Sequence, residues 1–63
     1  MNFAKGFCRI ETKDRVVFGE LTEIYDTFVL IIDFEPPAVE IDIQKSDIVH
    51  YEPINEDDIP PYE

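Results

Sequence analysis

Apolar and polar residues alternate with a period of two through most of this chain, and that period predicts strands rather than helices. Residues 6–12, GFCRIET, put Cys8, Ile10 and Thr12 on one face and Phe7, Arg9 and Glu11 on the other. The polar pair Lys13-Asp14 separates this run from a longer one, residues 15–25, RVVFGELTEIY, as a tight hairpin turn would. Gly19 lies inside the second run. A glycine within a strand marks a bulge, a bend or the close approach of another backbone. A long strand bent at a glycine is also how a small sheet curls into a barrel. Asp26-Thr27 reads as the next turn. Residues 28–33, FVLIID, are almost continuously apolar, which predicts a strand covered on both faces. Glu35-Pro36-Pro37-Ala38 is a loop, because two prolines cannot serve a central ladder. Residues 39–44 alternate again, with Val39, Ile41 and Ile43 inward and Glu40, Asp42 and Gln44 outward. Lys45-Ser46-Asp47 is a short turn, and residues 48–51, IVHY, form a fifth strand.

No window carries a helical period with caps. The expected fold is all-β: a small five-stranded, bent antiparallel barrel of SH3-like or OB-like kind, with any N-terminal helix short or absent. From Glu52 the chain becomes acidic and proline-bearing. The expected division is therefore a barrel domain over residues 1–51 and a disordered or loosely docked tail over residues 52–63. The fourth and fifth strands are rich in Val and Ile, and such edges invite pairing with another chain.

Size sharpens that expectation. At 63 residues the chain is one domain, and a domain of this length buries only about 60% of its unfolded surface. Below roughly 70–80 residues, further support from disulfides, metal or self-association is usual. Cys8 is the only cysteine and His50 the only histidine, so no intrachain disulfide and no usual zinc pattern can form. Self-association is what remains.

Charge narrows the partners. Fifteen acidic and five basic residues give a formal net charge of -10, which argues against non-specific phosphate binding. The imbalance is uneven: residues 52–63 hold five acids and no base, while residues 1–51 hold ten acids and five bases. No basic segment followed by an apolar run opens the chain, and no apolar stretch reaches the roughly 18 residues of a membrane span. A cytoplasmic protein without a membrane partner is expected. His50 has no Ser, Cys or Asp at a triad spacing, and the acidic pairs lack the glycine of a calcium loop. The terminal Pro60-Pro61-Tyr62 lacks the residue that a WW ligand places between proline and tyrosine. The expectation is a non-enzyme without cofactor or metal.

Three segments carry a resemblance to a known family: Gly19-x-Leu21, then Tyr25-Asp26-x-Phe28-Val29-Leu30, then Lys45-Ser46-Asp47-Ile48-Val49. In this order and separation they resemble the two motifs of the Sm-like superfamily, the Sm, LSm and Hfq proteins, across residues 7–51. The first motif of that family runs glycine, x, aliphatic, then aromatic, Asp, x, aromatic, apolar, and Asn or aliphatic. The second is a short basic turn followed by Ile-x-x-Ile/Val. Leu30 or Val29, depending on register, stands where Sm and LSm proteins hold a uridine with asparagine. An aliphatic residue there is closer to Hfq. Ser46-Asp47 replaces Arg-Gly in the basic turn, and the spacing from Gly19 to Asp26 is one residue longer than in the family. The resemblance implies a homo-oligomeric ring of about five to seven copies, and single-stranded RNA as a ligand of its turns.

On that resemblance Tyr25, Asp26, Thr27, Phe28, Lys45 and Ser46 are the candidate RNA-binding residues. Read from the residues alone, Asp26 is a turn residue whose carboxylate bonds the backbone two positions on. Phe28 is a core residue at the head of an apolar strand, and Lys45 is a solvated surface charge. Cys8 is a small core residue. Val39, Ile41, Ile43, Ile48, Val49, His50 and Tyr51 are the candidate oligomer interface. Two other functions compete with RNA binding: an oligomeric scaffold that binds protein, and an acidic mimic of nucleic acid.

Overall fold

The computed structural model describes residues 2–61. They form one antiparallel sheet of five strands: β1 (Gly6–Thr12), β2 (Val16–Ile24), β3 (Phe28–Asp33), β4 (Glu40–Gln44) and β5 (Ile48–Pro53). Single turns of 3-10 helix follow at Lys45–Asp47 and Glu56–Asp58. The strands lie in the order β4-β3-β2-β1-β5. The all-β, five-stranded, bent and barrel-like expectation therefore holds. Among the described residues no helix is long and apolar enough to cross a membrane.

Local chemistry sets the turns where the polar pairs put them. At Lys13-Asp14, Thr12 N–H donates to Arg15 O at 2.8 Å and Arg15 N–H donates back to Thr12 Oγ1 at 3.1 Å. At Asp26-Thr27, Tyr25 N–H donates to Phe28 O at 2.9 Å. Arg15 and Tyr25 thus flank the turns, and β2 is one residue shorter at each end than its pattern suggests.

Two features bend β2. Gly19 faces the interior under β3: a Cβ there would fall on Ile32 O and lie 2.8 Å from Ile31 Cγ1. Of the readings open for this glycine, close backbone approach is the one realised. The irregularity in the ladder comes three residues later, between Leu21 and Glu23. Skipping Thr22 leaves Leu21 opposite Ile31 and Ile24 opposite Val29, and a bulge of this kind increases local twist.

The inner face of the curled sheet is the core. Cys8 and Ile10 from β1, Val17 and Leu21 from β2, Val29 and Ile31 from β3, Ile43 from β4 and Ile48 from β5 are buried there. Phe3, Ile41 and Tyr51 pack around them. Each fully buried aliphatic side chain contributes about 1.5–3 kcal/mol.

Three expectations need correction. Val39 does not point inward; it precedes β4 and is 50% exposed. Ala38 before it adopts a φ of 58°, and the chain enters the ladder only at Glu40. The second face of β3 is not covered: Val29 and Ile31 are fully buried, but Phe28, Leu30 and Ile32 are half-buried on a face with no second layer of sheet or helix. The short turn expected at Lys45-Ser46-Asp47 is present, as a single turn of 3-10 helix. The tail does not begin at Glu52: β5 runs on to Pro53 and Ile54 is bonded to β1. Glu52 and Pro53 pair with Arg9 and Cys8, and Ile54 N–H donates to Phe7 O at 3.1 Å. Asn55 then closes the Glu56–Asp58 turn by a reciprocal capping box with Asp58. Ile54, Ile59 and Pro60 are half-buried. The reason is that β1 extends back to Gly6 and offers main-chain partners that composition does not register. The last two residues of the expected tail, Tyr62 and Glu63, lie outside the described residues, as does the end of the Pro60-Pro61-Tyr62 motif.

Candidate binding site

The turn between β2 and β3 and the start of the Lys45–Asp47 turn meet at one corner of the barrel. Lys45 N–H donates to Thr27 O at 2.9 Å, continuing the β3–β4 ladder into both turns. The Tyr25 and Phe28 rings stack with centroids 4.7 Å apart and planes at 20°. Tyr25 is 46% exposed. Phe28 is half-buried on the outer face opposite Gln44, not in the core. The pleat decides this: Val29 and Ile31 take the inner positions, so Phe28 points the other way. Asp26, Thr27 and Ser46 are exposed. The Asp26 carboxylate accepts no hydrogen bond among the described residues. The Asx-type bond occurs instead at Asp33, whose Oδ1 accepts Glu35 N–H at 2.9 Å.

Lys45 is held by an aromatic residue that the pattern along the chain did not single out. Its Nζ lies 5.6 Å from the Phe3 ring centre, within cation–π range. Phe3 meets Tyr51 edge to face at 5.0 Å and 61°. The Tyr51 hydroxyl donates to Ala4 O and accepts from Ala4 N–H, each at 3.2 Å. The signal for Phe3 was only a lone aromatic ahead of the first strand.

Charge at the corner is sparse. Lys5, Arg9 and Lys13 form ion pairs with Glu23, Glu11 and Asp47 at 3.7–3.8 Å. Lys45 forms no ion pair among the described residues, so its cation is available to an anion. A separate shallow concavity of about 150 Å³ lies beside Arg15, Asp14, Asp42 and Asp47. It is below the roughly 300 Å³ of ordinary ligand pockets, and its charged lining is three aspartates and one arginine. Cys8 supplies no nucleophile, since burial pushes its thiol up to about 11.

The candidate interface residues divide by side chain and by main chain. Ile43 and Ile48 are buried in the chain's own core, Ile41 is half-buried against it, and Tyr51 packs on Phe3. A core this small uses every inward position, so these side chains are not free for a second copy. Val39, Val49 and His50 are exposed. The main-chain edges are open. Asp33 N–H to Val39 O and Lys45 N–H to Thr27 O fix the phase of the β3–β4 ladder, so the peptide groups of Glu40, Asp42 and Gln44 point away from β3. On β5, the Ile54 N–H bond to Phe7 O turns His50 and Glu52 toward β1 and leaves the Tyr51 N–H outward.

No family model matches the chain, and no curated protein and no solved structure matches it.

Proposed function

We propose that this protein is a non-catalytic, ring-forming barrel of Sm-like kind, in which β4 of one copy pairs with β5 of the next. One observation carries the reading: the sheet order β4-β3-β2-β1-β5 ends in two strands, each paired on one side only. A head-to-tail contact between unlike edges closes into a ring when its rotation permits. It also supplies the stabilisation that a 63-residue core lacks. The ligand in this reading is single-stranded RNA at the Tyr25–Phe28 corner, with a base stacked on Tyr25 and a phosphate near Lys45. The protein works in the cytoplasm.

A second reading, a protein-binding scaffold or acidic nucleic-acid mimic, is favoured by the net charge of -10. Binding of oligo-U and oligo-A at low and moderate salt separates the two.

Sedimentation tests the ring. The wild type sediments as a closed oligomer at tens of micromolar. Val49→Lys, at a position 53% exposed on the β5 edge, dissociates it while the β-type circular dichroism persists. A monomeric wild type in moderate salt ends the ring reading.

A further inference from the structure

The outer face of the sheet carries side chains that an exposed face does not need. Phe7 on β1 and Phe34, just past β3, meet edge to face across β2 at 5.4 Å and 82°. Phe18 on β2 lies beside Phe34, whose N–H donates to Phe18 O at 2.9 Å. The Arg9 guanidinium lies 6.0 Å from the Phe18 ring centre. Leu30 and Ile32 continue the band along β3. All of them are half-buried, and among the described residues no second sheet or long helix lies above them.

An uncovered apolar patch on a sheet face marks an interaction site, and the charges within and around it state the charge of the occupant. Glu20 stands between Phe7 and Ile32 in the cross-strand rows. Glu40 and Asp42 flank the patch on β4, opposite Ile32 and Leu30. Glu52 flanks it on β5, opposite Arg9. Two cations lie at the patch and both are already paired: Arg9 with Glu11 at 3.7 Å, and Lys5 with Glu23, the cross-strand partner of Leu30, at 3.7 Å. A second copy brought face to face would set one acidic rim against another, with -10 on each chain.

We propose that the outer face of β1, β2 and β3 docks an extended basic segment of a partner protein, with its apolar side chains on the phenylalanine band and its lysines or arginines on the glutamate rim. In an extended segment alternate side chains fall on one face, so an alternating apolar–basic sequence satisfies both the band and the rim. Phe28 lies on the same outer face, one step beyond Leu30 along β3, and the rim residues Glu40, Asp42 and Glu52 belong to the two edge strands, so the segment lies across the face rather than pairing along a strand edge.

The test is a titration of the isotope-labelled full chain with a short peptide of alternating lysine and leucine, and with a glutamate–leucine peptide as control. Amide shifts should concentrate at Phe7, Phe18, Glu20, Ile32 and Phe34, and the control should produce none. Phe18→Ser, at an outward position, should weaken binding about tenfold or more. Glu20→Lys, at an exposed position that no fold argument protects, should weaken it and flatten its salt dependence. The proposal is overturned if the lysine–leucine peptide does not bind, or if its shifts centre on the acidic Glu56–Asp58 turn. It is equally overturned if Glu20→Lys binds as well as wild type. A changed sedimentation of unliganded Phe18→Ser would make a second copy the occupant, and would overturn it too.

Discussion

Gly19 and Cys8 are the residues at which the fold tolerates least. At Gly19 the obstacle to any side chain is the backbone oxygen of Ile32, which cannot rotate away. Gly19→Ala should therefore force β2 and β3 apart and cost about 1–3 kcal/mol, as overpacking does. In so small a domain that is a large part of the total, and urea unfolding would read it as a lower midpoint. Cys8 is fully buried, and its thiol is raised from 9.0 to about 11 by burial, against a smaller lowering from the Leu21 backbone. A raised folded value means the native state holds its proton after the unfolded chain has lost it. Its stabilising contribution is complete below pH 9 and declines as pH rises from about 9 to about 11. Unfolding midpoints measured across that range should fall. At pH 8 an alkylating reagent should modify Cys8 far more slowly in the native protein than in urea.

Among the elements, β5 and the aromatic turn carry distinct expectations. Pairing of Glu52 and Pro53 with β1 makes the end of β5 part of the sheet. Truncation after Tyr51 should cost about 1–3 kcal/mol, the worth of the two or so backbone bonds lost, whereas truncation after Ile54 should leave the unfolding midpoint close to wild type. Denaturation of the two truncated chains in moderate salt checks this. At the turn, Tyr25 and Phe28 stack outside the core, so Tyr25→Ala should leave the fold intact. If RNA binds there, the variant should lose affinity for oligo-U by about tenfold or more, given roughly 1–3 kcal/mol per stacked base. Fluorescence anisotropy of labelled oligo-U would measure the loss, and unchanged affinity would remove the corner from the RNA reading.

For the whole molecule, assembly and charge oppose each other. Copies carrying -10 each repel, while edge pairing and apolar burial attract. Raising salt from about 0.01 to 0.15 M shortens the screening length from about 30 to 8 Å. The sedimentation coefficient should rise with it. A coefficient that falls with salt would mean that opposite charges, not strand edges, hold the copies together.

Much of this fold was legible along the chain, because strand period and turn chemistry are local. Cys8 and Ile10 fell on the buried face as their alternation required, and Lys13-Asp14 and Asp26-Thr27 formed the two turns. The candidate corner was legible in part: Tyr25, Thr27, Phe28 and Lys45 are brought together, but Phe3, which holds Lys45, gave no periodic signal. Elsewhere local pattern was insufficient. FVLIID records how apolar a segment is and not which layers cover it, so Phe28, Leu30 and Ile32 were placed on an uncovered face by the single-sheet architecture. Acidic composition after Glu52 suggested disorder, but β1 supplied hydrogen-bond partners from the other end of the chain. Period, turns and the need for a small β core are properties of neighbouring residues, and the sequence by itself determined them. The side on which each apolar residue ends up, and the edges left open, depend on partners distant in the chain. Only the tertiary structure decided those.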